Sequence, residues 1–394
     1  MIHYFNPGHE TAVLNGSPYY TPPANVALMQ QELSFLPAWY AHEGDCVLVD
    51  GALNDEFADI LDRVGIRVSP IQEKELSSSP NEEMVLWGVS PQSIHYFEEL
   101  NQTHDLNLRL PAWNDRLVYL NSRLFARDCL AEICRQHTDI DEDIQPHIFH
   151  SLEEINQFLD QSAGRYVSKA PYSSSGRGLL WLPETGLTRT ENQILHGTLK
   201  KQKSVSIEKV LDKKIDFAME FLSDGMGHVV FCGYSLFQTN EKGGYLSNTL
   251  MAQAEIEKQL TDMISQDQLM RIRESLQTIL ARECAPVYKG CIGVDMMIYV
   301  DGGGGYALHP CLEVNMRYNM GYLSLCLHKN YISQSSSGYF YLDFGTTDGQ
   351  VYQKHQQLTE QYPLVIDGGK VQSGYLPLCP IYRSSRFCAY ALVQ

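Results

Sequence analysis

The residues with the most pointed chemistry lie in two apolar segments near position 300. Cys291-Ile292-Gly293-Val294-Asp295-Met296-Met297-Ile298-Tyr299 carries one isolated acid, and Leu312-Glu313-Val314-Asn315-Met316-Arg317 carries an acid, a carboxamide and a guanidinium at alternate positions. An unpaired charge inside such runs is costly to bury, so each acid needs a partner. Val300-Asp301-Gly302-Gly303-Gly304-Gly305-Tyr306 between them has the composition of a hairpin turn, which would set Asp295 beside Glu313. Period-2 alternation then puts Glu313, Asn315 and Arg317 on one face. Asp295, Glu313 and Asn315 are hard oxygen donors suited to Mg²⁺ held partly by nucleotide phosphates. Arg317 would add a planar fork for a phosphate or acyl-phosphate oxygen. Taken singly, each is better read as a solvated strand residue or half of a surface ion pair; together they make a floor for phosphate chemistry.

A second constellation lies upstream. Arg165 to Ala170 reads as a strand, and Lys169 precedes a small-residue loop, Pro171-Tyr172-Ser173-Ser174-Ser175-Gly176-Arg177-Gly178. Backbone N–H groups of such a loop can face phosphate oxygens without side chains in the way, although most Ser/Gly loops are only turns. Further on, Glu208-Lys209-Val210-Leu211 links two strand-like segments. Such a link could offer an adenine ring an apolar slot with backbone hydrogen bonds, and Asp216 in the next segment could reach a ribose hydroxyl. An ordinary edge hairpin explains the same residues.

These groups need elements to hold them. Residues 1–110 alternate strand and helix: Ile2 to Phe5, a helix from Ala27 to Ala41, Asp45 to Asp50, a helix from Asp55 to Val64, then Ile66 to Val68 and Met84 to Val89. That order predicts a parallel open sheet, which commonly binds ligands at its carboxyl edge. His9 and Glu10 follow the first strand and could touch a substrate, with a structural turn the preferred reading. Pro111-Ala112-Trp113 marks a junction, and an amphipathic helix with a basic face is expected from Arg116 to Cys134. Ser151 with Glu154 three residues later caps a helix from Leu152 to Gln161. Helices from Glu191 to Lys203 and Gln266 to Arg282, and strands at 228–234 and 245–248, complete the middle of the chain. Residues 331–394 read as β-rich and aromatic, with no chemical role assigned.

The chain has 394 residues, 44% of them hydrophobic, with 30 Lys and Arg against 47 Asp and Glu. A net charge of -17 lacks the clustered basic residues that a nucleic-acid partner requires. No run of about 18 apolar residues suggests a membrane span, and the N-terminus lacks a signal-peptide pattern, so a cytoplasmic protein is expected. The ten cysteines show no CxxC spacing and read as reduced, buried thiols.

In order and spacing, the set from Lys169 through Glu313-x-Asn315-x-Arg317 resembles the ATP-grasp superfamily, most of whose members are carboxylate–amine or carboxylate–thiol ligases. The resemblance covers about residues 111–330. It implies an α/β (α+β) fold, an ATP-grasp module of two lobes, preceded by a Rossmann-like parallel α/β domain over residues 1–110. It also implies ATP and one or two Mg²⁺ ions as cofactors. Lys169 would contact the α- and β-phosphates, and Ser173, Ser174, Ser175, Gly176, Arg177 and Gly178 would close over the β- and γ-phosphates. Glu208, Lys209, Val210 and Leu211 would line the adenine pocket, and Asp216 would bind ribose. Asp295, Glu313 and Asn315 would hold the metal, and Arg317 would steady the transferred phosphoryl group. Where many relatives carry an earlier lysine, this chain offers Arg123.

The expected reaction joins a carboxylate to an amine through an acyl-phosphate, with Arg317 and Lys169 as the catalytic cations. The partners would be small molecules, an amino acid or short peptide being the guess, and related ligases are often dimers, which makes a homodimer a candidate. Phosphoryl transfer to a hydroxyl and non-catalytic nucleotide binding are the competing readings. Substrate contacts are expected from His9, Glu10 and the segment Asn240 to Asn248.

Overall fold

The computed structural model describes residues 1–78, 81–173, 176 and 178–394. Four short strands, β1 (Ile2–Tyr4), β2 (Cys46–Leu48), β3 (Ser69–Ile71) and β4 (Met84–Leu86), pair in parallel in the order β3-β2-β1-β4. The expected parallel sheet is therefore present, with its third strand shifted from 66–68 to 69–71. Helices α1 (His9–Asn15), α2 (Ala24–Glu32), α3 (Asp55–Val64) and α4 (Pro91–His104) connect and flank it. In α3, Phe57, Ile60, Leu61 and Val64 make one buried stripe, Asn54 caps the start, and Gly65 takes a left-handed φ of 74° at the end. The single helix expected from Ala27 to Ala41 is instead α2 followed by a 3₁₀ turn at Leu36–Trp39. Pro37 cannot donate a helical N–H, and Leu33, Phe35, Leu36 and Trp39 are all buried, so no polar face remains for a continuous surface helix.

The basic helix expected from Arg116 to Cys134 is broken into α5 (Arg116–Leu120) and α6 (Arg123–Gln136). The Ser122 hydroxyl donates to the Tyr119 carbonyl (2.6 Å) and the Asn121 amide to that of Leu117 (2.8 Å), which ends the first helix. A small lobe follows. Strands β5 (His147–Phe149), β6 (Tyr166–Lys169), β7 (Leu179–Leu182) and β8 (Val205–Lys209) run antiparallel in the order β5-β8-β6-β7. Their apolar side packs on α7 (Leu152–Gln161) and α8 (Arg189–Gln202) through Ile155, Leu195, Val205 and Ile207. The Ser151–Glu154 capping box forms as expected.

The remaining strands build one large sheet. β9 (Asp212–Asp224), β10 (Val229–Thr239), β11 (Tyr245–Leu250), β12 (Lys289–Val300), β13 (Tyr306–Asn315), β14 (Gly338–Phe344), β15 (Val365–Asp367), β16 (Lys370–Pro377) and β17 (Phe387–Val393) join in the order β13-β12-β9-β10-β11-β14-β17-β16-β15. Helices α9 (Gln253–Thr261), α10 (Gln266–Glu283), α11 (Met320–Tyr331) and α12 (Gln350–Gln361) complete the chain. The parallel sheet and the large sheet share their cores: Ile2 and Phe97 belong to one buried cluster with Phe217 and Ile292, and Phe5 and Trp39 to another with Leu323 and Leu376. No helix among the described residues is long and apolar enough to cross a membrane.

Candidate active site

The hairpin β12–β13 pairs Asp295 with Glu313 and Gly293 with Asn315, and its register shifts between Asp295 and Met297. The acids expected side by side are thus side by side. Burial, then the neighbouring charge of Glu313, pushes the Asp295 carboxyl well above its ordinary value. A cation between the two would offset that repulsion. Glu313 already has a partial counter-charge in Arg123, whose Nη2 lies 3.1 Å from its Oε2. The same Nη2 donates to Ser173 Oγ (3.2 Å), and Nε donates to the Ala170 carbonyl (3.1 Å). Arg123 therefore ties the start of the Ser/Gly loop to the acid floor.

Arg317 is turned toward the parallel sheet. Its Nε lies 2.5 Å from Glu10 Oε1, and Nη2 donates to Asn315 Oδ1 (3.1 Å). Burial alone would raise the Glu10 pKa, but Arg317 and then His9 outweigh it and hold the carboxyl low. His9 Nδ1 lies 3.4 Å from Glu10, and its Nε2 is 3.0 Å from Asn121 Oδ1. Residues 9 and 10 are therefore not a turn but open α1, and Glu10 reaches Arg317 of the Glu313-x-Asn315-x-Arg317 segment. Gly88 permits that approach, since a Cβ there would lie 2.2 Å from the His9 ring.

Beside the acids lies a cavity of about 290 Å³ between the small lobe and the large sheet. Lys169, Glu208, Asp216, Asp295 and Glu313 all line it, as do Arg123, Lys209, Val210 and Leu211. Lys169 Nζ is 2.5 Å from Glu208 Oε2; against the upward push of burial, the lysine holds that carboxyl below its usual range. Glu208 and Lys209 belong to β8, so only Val210 and Leu211 form the link, and the Val210 N–H is committed to the Arg165 carbonyl (2.9 Å). Asp216 accepts from Lys213 Nζ (2.6 Å) and Thr239 Oγ1 (2.9 Å). Gly176 packs on the β10–β11 turn, where a Cβ would lie 2.6 Å from the Gly243 carbonyl oxygen, and a Cβ on Gly178 would strike Ser173. Ser174, Ser175 and Arg177 lie outside the described residues.

Asn315 and Arg317 stand apart from that cavity, at the junction with the parallel sheet. Two residues there escaped the sequence reading. Glu220 on β9 is 1% exposed, accepts from Asn319 Nδ2 (2.8 Å) and Ser235 Oγ (2.9 Å), and burial pushes its pKa up to about 7. The signals were available: Asn319 continues the alternation of Glu313, Asn315 and Arg317, and Glu220 is a lone acid in Phe217-Ala218-Met219-Glu220-Phe221, like Asp295 in its own run. Among the described residues no three His, Cys, Asp or Glu side chains form a metal site by themselves. Two carboxylates and a carboxamide suit an ion that takes its other oxygens from phosphate and water.

Sequence comparison finds no matching family model and no matching curated relative. Structural comparison does find likeness. Biotin carboxylase from Campylobacter jejuni aligns with a TM-score of 0.53 at 11% identity, over 100% of this chain and 87% of that one. A pyruvate carboxylase variant from Rhizobium etli gives 0.51 at 13% identity, over 89% of this chain and 36% of that one. The ADP complex of an N5-carboxyaminoimidazole ribonucleotide synthetase gives 0.50 at 9% identity, over 100% and 92%. The chain has the ATP-grasp fold, preceded by a parallel α/β domain, as the motif order implied.

Proposed function

We propose that the protein is an ATP-dependent ligase that joins a carboxylate to an amine through an acyl-phosphate, releasing ADP and phosphate. One observation carries the reading: Lys169 and Arg123 line the cavity beside Asp295 and Glu313, while Arg317 donates to Asn315 at the end of the same hairpin, and each cation is seated against a carboxylate. Bound phosphates would compete for those cations. The likeness to a biotin carboxylase in its β-γ-ATP complex and a synthetase in its ADP complex supports the same nucleotide.

In this reading the apolar link at Val210 and Leu211 receives the base, Asp216 the ribose, and Lys169 and Arg123 the phosphates. Ser173, Gly176 and Gly178 would lie over the β- and γ-phosphates. Asp295, Glu313 and Asn315 would hold Mg²⁺, which supplies charge neutralisation on the phosphate oxygens. A substrate carboxylate oxygen attacks the γ-phosphorus and ADP leaves; the amine nitrogen then attacks the acyl carbon, phosphate leaves, and the nitrogen loses a proton. Arg317, held by Glu10, steadies the transferred phosphoryl group.

Phosphorus NMR of Mg²⁺-ATP with the protein and pooled amino acids, small carboxylates and amines tests this. ADP and phosphate should appear only with both substrate pools, and Glu313→Ala should lower turnover by about 10²–10³-fold with an unchanged thermal midpoint. AMP and pyrophosphate would replace the acyl-phosphate by adenylation. A stable phosphorylated product without amine would identify a kinase.

A further inference from the structure

Glu220 has no task in the nucleotide reading, yet the strand register puts it in line with residues that do. It pairs with Gly293 across β9 and β12, and Gly293 pairs with Asn315 across β12 and β13; Ala218, Asp295 and Glu313 form the neighbouring row. Directly opposed residues project to one face of a sheet, as do alternate residues along a strand, so Glu220 shares the face that carries Asp295, Glu313 and Asn315. Gly293 leaves a gap in its row, and the Asn319 side chain fills it: a Cβ on Gly293 would lie 2.5 Å from Asn319 Nδ2 and 3.0 Å from Glu220 Oε2. The hydrogen-bond donors to Glu220, the Asn319 amide, the Ser235 hydroxyl and the Cys291 thiol, are all neutral. A carboxyl buried without a counter-charge costs stability, so an apolar side chain would serve folding better at this position.

What Glu220 holds is the segment from Asn315 to Asn319, which leaves β13 carrying Asn315 and Arg317 and ends as the cap of α11. Toward the parallel sheet the segment is held by the Tyr318 N–H on the Trp87 carbonyl (2.8 Å) and by the Arg317–Glu10 pair (2.5 Å). The Asn319–Glu220 hydrogen bond (2.8 Å) ties it the other way, to β9, two strands in from β13. We propose that Glu220 is a positioning residue, which through Asn319 fixes Asn315 and Arg317 against Asp295 and Glu313 and so sets the donor spacing for the metal. This deepens the nucleotide and metal reading above and rests on it. The position requires an acceptor for the Asn319 amide, not a charge. Glutamine supplies that acceptor and can donate to the Ser235 hydroxyl, whereas leucine fills similar volume and leaves a buried amide unpaired.

Electron paramagnetic resonance of Mn²⁺, standing in for Mg²⁺ and titrated into the full chain with the non-hydrolysable ATP analogue AMP-PNP, tests the assignment. Calorimetry of AMP-PNP in EDTA reads the nucleotide without metal. Glu220→Leu should weaken Mn²⁺ about 10–100-fold, as loss of a group that orients metal ligands does, and leave metal-free AMP-PNP unaffected. Glu220→Gln should retain the wild-type Mn²⁺ affinity. Unchanged Mn²⁺ affinity in Glu220→Leu would overturn the proposal. So would equal losses for Mn²⁺ and metal-free AMP-PNP, which a general disturbance of the site produces. A Gln variant as weak as the Leu variant would overturn it too, because charge rather than position would then matter. Should the Leu variant not fold, Asn319→Ser keeps a helix cap but is too short to reach Glu220; it should show the same Mn²⁺ loss, and wild-type affinity there would overturn the proposal. A wild type that binds neither AMP-PNP nor Mn²⁺ refutes the parent reading instead, a result distinct from a metal complex that ignores Glu220.

Discussion

Glu220 shows how one side chain couples site geometry to stability. Its folded pKa of about 7 lies above the ordinary 4.5 because burial disfavours the anion more than Asn319 and Ser235 favour it. The folded state therefore keeps a proton that the unfolded chain releases. This group's contribution to stability is complete below pH 4.5, falls as pH rises to 7, and is level above that. The span of about 2.5 units corresponds to about 3 kcal/mol. Glu220→Gln keeps partners for Asn319 and Ser235 but cannot ionise. Measured by urea unfolding, it should gain about 3 kcal/mol relative to the wild type between pH 4.5 and 8. Parallel stability curves for the two proteins would show that Glu220 is not the group that titrates.

Helix α11 begins where Glu220 ends. Asn319 caps it by accepting from the Tyr322 N–H and at the same time donates to the Glu220 carboxylate. The helix comes so near β9 that a Cβ on Gly321 would lie 2.1 Å from Glu220 Oε1 and 2.4 Å from Ser235 Oγ. Helix propensity alone favours alanine over glycine by about 1 kcal/mol. Here overpacking against a fixed buried carboxylate should reverse the sign, and Gly321→Ala should destabilise the protein by about 1–3 kcal/mol in chemical denaturation. A stabilised variant would mean that the Glu220 pocket relaxes freely.

At the scale of the molecule, the large sheet does not stop at the hairpin that carries the acids. β14 pairs with β11 and with β17, so residues 338–393 continue the sheet that begins at β13. The Trp39 indole N–H, from the N-terminal unit, donates to the Leu378 carbonyl (2.7 Å) in the segment after β16. A chain ending at Tyr331 would expose the β11 edge and lose one side of the core around Leu376 and Ala389. It should elute as aggregate in size-exclusion chromatography and lack a cooperative thermal transition. A monomer that unfolds at the wild-type temperature would show those strands to be dispensable.

The sequence by itself determined what local period and turn chemistry encode. The glycine-rich turn between two apolar runs places Asp295 opposite Glu313, alternation orders Asn315 and Arg317 behind them, and Ser151 with Glu154 starts α7. The ordered motifs also carried the fold class. Tertiary structure alone decided who faces whom across the chain. Arg317 meets Glu10 over a separation of 307 residues, Glu220 meets Asn319 over 99, and His309 comes to stand beside Lys169 and Glu208. No periodicity specifies such pairs, because a buried charge requires only some partner, and which one it meets depends on how the sheets and helices close around it.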